Sequence, residues 1–159
     1  MNTPELTVRS GRPGDADTII GFNRDMAVET EGRAPALDVL STGVRAVLND
    51  AERGLYFVVE SGGRVVGQMM VTREWSDWRN GWFWWIQSVY VTPEFRQHGV
   101  YRRLHEHVER EARAKAGVCG LRLYVEHENE RAQRVYVRLG MTRTTYQMFE
   151  TDWSGSFGG

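Results

Sequence analysis

A chain of 159 residues and 18.3 kDa has the length of one domain, and 41% hydrophobic with 26% charged residues exclude a disordered or fibrous chain. A formal charge of −1 and a pI near 6.4 leave no basic excess for a long phosphate backbone, which argues against a nucleic-acid partner. That sum conceals a gradient, since residues 1–60 carry 6 Arg against 10 Asp and Glu while residues 94–143 carry 11 Lys and Arg against 7 Asp and Glu.

Met1 to Ser10 shows no cationic stretch followed by a long apolar run, and no segment approaches the ~18 apolar residues of a membrane span. A cytoplasmic location is therefore expected. Leu6 to Ser10 alternates as a strand and is closed by Gly11-Arg12-Pro13-Gly14. Asp15 reads as the N-cap of a helix over roughly 15–29, with Ile19, Phe22 and Met26 at helical spacing. A loop at 31–35 leads to a second helix on Leu40, Val44, Val47 and Leu48, ending near Asn49-Asp50.

Leu55–Val59 and Val65–Val71 flank a glycine turn and predict a β-hairpin. Gly81 to Val91, rich in aromatic and β-branched residues, adds a third strand through the loop 76–80. Five of the six tryptophans (Trp75, Trp78, Trp82, Trp84, Trp85) fall in this region. Simple alternation puts Trp82, Trp84 and Ile86 on one face and Phe83, Trp85, Gln87 and Val89 on the other, as in a strand covered on both sides. From Gly99 the period becomes helical, with Val100, Leu104, Val108 and Ala112 as the apolar stripe of a helix over 99–116.

The lone cysteine, Cys119, excludes an internal disulfide and reads as a small apolar residue at a strand start. Leu121, Leu123 and Val125 alternate in that strand. Ala132, Val135, Tyr136 and Leu139 form a short helix ended by Gly140, Met141 to Thr151 predicts a last strand, and 154–159 reads as a flexible tail. The order β-α-α-β-β-β-α-β-α-β describes one mixed α+β domain over 1–153.

The segment Val89-Tyr90-Val91-Thr92-Pro93-Glu94-Phe95-Arg96-Gln97-His98-Gly99-Val100-Tyr101-Arg102 carries the chemistry. A strand runs through a tight loop straight into a helix, which leaves backbone N–H groups at a positive helix end suited to a phosphate or diphosphate. Gly99 allows close backbone approach, and Arg96 and Arg102 add positive charge. The histidines lack a carboxylate or cysteine at ligand spacing, so no metal is expected.

Arg96-Gln97-His98-Gly99-Val100-Tyr101 resembles the (Arg/Gln)-x-x-Gly-x-(Gly/Ala) diphosphate loop of the GNAT superfamily of acyl-CoA-dependent N-acyltransferases. Asn129-x-x-Ala132-x-x-x-Tyr136-x-x-Leu139-Gly140-Met141 is similar to the same superfamily's signature on its fourth helix. The element order fits over residues 6–152, and Tyr101 is the one departure, standing where Gly or Ala is usual. The resemblance implies a central, mostly antiparallel twisted sheet splayed between its fourth and fifth strands. The pantetheine arm of acetyl-CoA would enter that gap along Val89, Tyr90 and Val91 like an added strand. It implies further that residues 96–102 bind the diphosphate end and that Asn129 and Tyr136 also contact the cofactor. A backbone N–H would stabilise the thioester oxyanion, and an amine would attack directly without a covalent enzyme intermediate.

By the same resemblance Tyr136 would protonate the departing CoA thiolate; a phenol of pKa ~10 is protonated at neutral pH, whereas a thiol has pKa ~8.5. Tyr136 also continues an apolar stripe, as a core aromatic would. The strand 81–91 lacks the carboxylate that serves some members as general base, which leaves Glu29 and Glu31, followed by Asp77, Glu126 or His127. Trp75, Asp77 and Trp78, on the loop that overhangs the acceptor side in the family, suit a cationic amine through cation–π contacts and ion pairing. The sequence thus predicts an acetyl-CoA-dependent N-acetyltransferase acting on a small amine or exposed protein amine, compatible with a homodimer. A non-catalytic acyl-CoA-binding module of the same fold is the competing reading.

Overall fold

The computed structural model describes residues 4–155, in two units, Met1–Leu123 and Tyr124–Gly159. The first holds a five-stranded sheet in the order β1 (Thr7–Ser10), β2 (Leu55–Ser61), β3 (Arg64–Ser76), β4 (Gly81–Val91), β5 (Val118–Leu123). The pairs from β1 to β4 are antiparallel, and β5 runs parallel to β4. Consecutive hairpins explain the antiparallel part, whereas a parallel neighbour needs a crossover, here α3 (Val100–Ala114).

Helix α3 covers one face of the sheet, where Leu104 and Val108 are wholly buried against Phe57, Met69, Trp84 and Ile86. Helices α1 (Ala16–Glu31) and α2 (Leu37–Asn49) cover the other, where Ile19, Ile20 and Val44 meet Tyr56 and Val58. Burying a side chain such as Leu104 contributes about 1.5–3 kcal/mol, so these two layers hold the sheet and aim its edges. Gly67 lets α3 sit close: a Cβ there would lie 2.9 Å from Val100 Cγ1 and 3.3 Å from the Tyr90 carbonyl oxygen.

Two elements differ from their expected course. The β3–β4 register shifts between Met69, opposite Val89, and Val71, opposite Ile86, so one extra residue of β4 bulges at Gln87-Ser88. A bulge reverses strand parity; Val89 and Val91 therefore face the α3 core together with Ile86, not the opposite side. Asp15 precedes α1 but does not cap it. Its carboxylate instead accepts from Arg9 Nη1 and Nη2 at 2.8 and 2.9 Å and from the Arg12 N–H at 2.9 Å, because a bidentate guanidinium offers more than one amide donor.

The second unit contains α4 (Glu130–Arg138). The last strand expected over 141–151 is not formed: residues 141–153 take part in no ladder, and Tyr146, Met148, Phe149 and Trp153 are exposed. Alternation can mark a segment as strand-competent, but a strand exists only where a neighbour meets its backbone groups. Of the expected tail, 156–159 lies outside the described residues. Among the described residues no helix is long and apolar enough to cross a membrane.

Candidate functional site

The end of β4 is where the sheet opens. β5 follows β4 from Trp82↔Val118 to Ile86↔Leu123 and stops there, two residues short of the predicted Val125. The last five residues of β4, Gln87 to Val91, continue beside β3 alone. Their outer edge can accept an extended chain as an added strand. The bulge lies at the fork.

Beyond Val91 a short 3-10 turn, Pro93–Phe95, leads into the exposed loop Arg96–Gly99. Gln97 and Gly99 both have left-handed backbones, at φ 66° and 76°. Alternating left-handed residues turn successive N–H groups to one side and form an anion-sized concavity. Glycine adopts this conformation freely, but at Gln97 it costs on the order of 1–2 kcal/mol, so the surroundings must hold it. The first intrahelical bond of α3 runs from Arg103 N–H to the Gly99 carbonyl at 3.1 Å, which places the open, positive end of the helix at the loop.

The side chains of this segment are disposed otherwise than their residue types suggest. Arg96, expected to lend charge to a phosphate, is turned back: Nε donates to the Val91 carbonyl at 2.9 Å and Nη2 donates to Glu29 Oε1 and Oε2 at 2.9 and 3.0 Å. Its guanidinium also lies 5.4 Å from the centre of the Tyr90 ring. Arg102 is paired with Glu106 at 2.7 Å. Both cations are thus met by carboxylates, and the attraction for an anion falls chiefly on backbone amides and the helix end. Glu29, expected as a base, has both oxygens committed to Arg96; a carboxylate serving a fixed cation is poorly placed to take a proton from an amine. Glu31, the last residue of α1, is exposed.

Tyr101, the departure from the motif, lies along α3 and not over the loop. Its hydroxyl is 3.2 Å from His105 Nδ1, and its ring packs against the α3 core. A bulky residue is therefore accommodated at the helix start by folding down one turn. His105 is almost wholly buried, and burial pushes its pKa below the ordinary histidine value. The unfolded chain takes up this proton near pH 6.5 and the folded chain only at lower pH, so protonation favours unfolding below that value. Chemical denaturation of the wild type should show a loss of stability on going from pH 7 to 5.5 that His105→Gln removes; an unchanged slope would exclude His105 as its source.

The tryptophans separate by position along the strands. Trp84 is core. Trp75 closes β3 and stacks edge-on against Trp82 at 5.0 Å, Asp77 accepts the Trp78 N–H at 2.9 Å, and Trp78 is 86% exposed. All three expected acceptor residues sit at the β3–β4 turn, where β4 begins. From Trp82 to Ile86, where β5 leaves the sheet, is four residues, roughly 13 Å of strand. Cys119, read as a small apolar residue at a strand start, lies on β5 and is exposed.

In the second unit, the Asn129 side chain accepts the Ala132 N–H at 3.1 Å and so caps α4. Tyr136 is half-buried on α4, and burial pushes its hydroxyl above the ordinary phenol range. The hydroxyl is accordingly protonated at neutral pH. Among the described residues no group of three or more His, Cys, Asp or Glu could hold a metal ion.

The model of the acetyltransferase (GNAT) family matches residues 25–141. The chain belongs to that family. It is similar to a possible acetyltransferase of Clostridium difficile 630, with 44% identity, a TM-score of 0.86, and coverage of 92% of this chain and 97% of that one. The GNAT fold is shared more distantly with the aminoglycoside N-acetyltransferase AAC(6')-Iy solved with CoA, at 18% identity and TM-score 0.78 over 96% and 97% of the two chains. It is also shared with a ribosomal-protein-alanine N-acetyltransferase of Brucella melitensis biovar Abortus 2308, at 12% identity and TM-score 0.74 over 94% and 100%. GNAT membership accounts for the sheet order and for the opening after Ile86. The Glu29–Arg96 pair, 67 residues apart in sequence, carried no local signal; only an acidic helix end and a basic loop were visible.

Proposed function

We propose that this GNAT protein transfers an acetyl group from acetyl-CoA to an amine, by direct attack of the amine on the thioester. The observation that carries the reading is the end of β4. A strand edge released by β5 after Ile86 runs through the left-handed Gln97 and Gly99 into the positive end of α3. That combination suits a molecule with an extended amide-bearing arm and a diphosphate. The arm would run along Val89, Tyr90 and Val91 and pair with the outward-facing backbone groups of Val89 and Val91. The diphosphate would lie against the amides of Gln97, His98, Gly99, Val100, Tyr101 and Arg102. The Val91 carbonyl keeps one lone pair for this, since Arg96 Nε uses the other.

Along this route the amine loses a proton, directly or through water, and its nitrogen bonds to the acetyl carbon. The C–S bond breaks, and the thiolate takes a proton from Tyr136. Asn129 supports Tyr136 by starting α4, its side chain serving as the cap. Glu31 is the carboxylate of the α1 end that makes no ion pair among the described residues and is the base we assign. The fold is shared with an aminoglycoside N-acetyltransferase and a ribosomal-protein-alanine N-acetyltransferase, so it accommodates small-molecule and protein amines alike. A cytoplasmic setting and a homodimer belong to the same reading, the latter supported by the exposed Phe149 and Trp153.

Thermal denaturation with and without acetyl-CoA, followed by detection of thiol release across small amines and peptide N-termini, tests it. Stabilisation together with amine-dependent thiol release is expected. Stabilisation without release from any amine would favour a non-catalytic acyl-CoA-binding module, and no stabilisation would overturn the reading.

A further inference from the structure

We propose that Glu29 is a positioning residue of the donor site, which through Arg96 holds the loop 96–99 in the shape that opens into α3. This rests on the acetyl-CoA reading above. Three contacts meet on one guanidinium: both oxygens of Glu29 on the last turn of α1, the Val91 carbonyl at the end of β4, and the face of Tyr90. Tyr90 is in turn packed against Phe22 of α1, with ring centres 5.1 Å apart. Arg96 is therefore fixed from the helix layer on one side and from the strand on the other.

The residue so fixed immediately precedes Gln97, whose left-handed backbone no glycine relieves. A strained conformation persists only where its surroundings over-determine it. On the N-terminal side of Gln97 that constraint is the Arg96 fork. On the C-terminal side the Arg96 carbonyl meets His98 Nδ1 at 2.9 Å and Gly99 starts the helix. Without the Glu29 end of the fork, Arg96 keeps the Val91 carbonyl and Tyr90, through its ring and its hydroxyl, and the loop amides are held less firmly in one array. The geometry also connects the end of α1 to the loop, so a displacement of that helix end is passed to the diphosphate amides.

Two effects of removing the carboxylate oppose each other, which makes the sign of the result decisive. Taking a negative charge away from an anion site favours CoA, whereas loosening the loop disfavours it. Both partners are close to half exposed, so the electrostatic gain is screened, and loss of positioning wins. In Glu29→Gln the Kd for CoA, by calorimetry, should rise about fivefold, and the KM for acetyl-CoA with it. Turnover at saturating acetyl-CoA should stay within about twofold, and Glu29→Lys, which repels Arg96, should weaken binding further. Hydrogen exchange of the 97–100 amides without ligand should be faster in Glu29→Gln than in the wild type.

Equal or tighter CoA binding with unchanged exchange would overturn the proposal. So would lost turnover at saturating acetyl-CoA with unchanged Kd, which would make Glu29 the base. If the wild type binds no CoA, the donor reading fails by itself, and the exchange measurement, which needs no ligand, still decides whether Glu29 orders the loop.

Discussion

Replacing Tyr136 by Phe should lower the turnover number at least tenfold, within the ~10²–10⁴ that a positioned general acid contributes, while acetyl-CoA binding stays nearly unchanged. The substitution removes one oxygen from a half-buried ring on α4 and leaves the apolar contacts of that ring in place. Burial pushes the hydroxyl above the ordinary phenol value, so the proton is present throughout the neutral range and available to the sulfur as negative charge develops on it. A thioester whose thiol has a low pKa needs no such proton, and turnover of that substrate should be affected much less. Steady-state kinetics with acetyl-CoA and with an activated aryl thioester test both statements. Near-wild-type turnover with acetyl-CoA would make Tyr136 the core aromatic that its place on an apolar stripe also allows.

Asp15→Ala should destabilise the fold by about 3 kcal/mol, which for a chain of this length is roughly 6–12 °C in Tm. Its carboxylate side chain is only 8% exposed and lies against Arg9, itself 21% exposed. Truncation leaves a largely desolvated guanidinium with Glu60 at 2.8 Å as its remaining carboxylate, and the Arg12 N–H loses its acceptor. The survival of the Glu60 contact keeps the cost at the lower end of that for a broken buried pair. Hydrogen bonding from Arg9 holds the Asp15 carboxyl below the usual range. Its contribution is thus present above the unfolded carboxyl pKa, near 3.9, and is lost as pH falls below it. Calorimetric melting of wild type and variant at pH 7 and pH 3 separates the two cases; an equal difference at both values would rule out the ion pair as the cause. This acid window lies well below that of His105.

The elements best anticipated were those whose pattern is self-sufficient. β4 runs from Gly81 to Val91 as its aromatic and β-branched content predicted, and α3 follows the Val100, Leu104, Val108, Ala112 stripe. The loop was legible because Gly99 and the helix start are adjacent in sequence. Less was visible where two distant segments decide the outcome. The bulge at Gln87-Ser88 depends on how β3 aligns with β4, and alternation within β4 alone assigned Val89 to the wrong face. Asp15 had a satisfactory local role as a cap, and Arg9, six residues earlier, displaced it. Trp75, Asp77 and Trp78 stand at the β3–β4 turn, a place along the sheet that the hairpin decides and their residue types do not.

The sequence alone determined a mixed α+β set of elements and a resemblance to the GNAT family, because periodicity, glycine placement and motif spacing act over a few residues at a time. The tertiary structure decided which charges are spent. Arg96, which the sequence presents as a free cation beside Gly99, is satisfied by Glu29 and Val91. Whether a charged side chain is available to a ligand depends on its nearest opposite charge in space, and that neighbour, here 67 residues away, is set by the packing of α1 beside the end of β4.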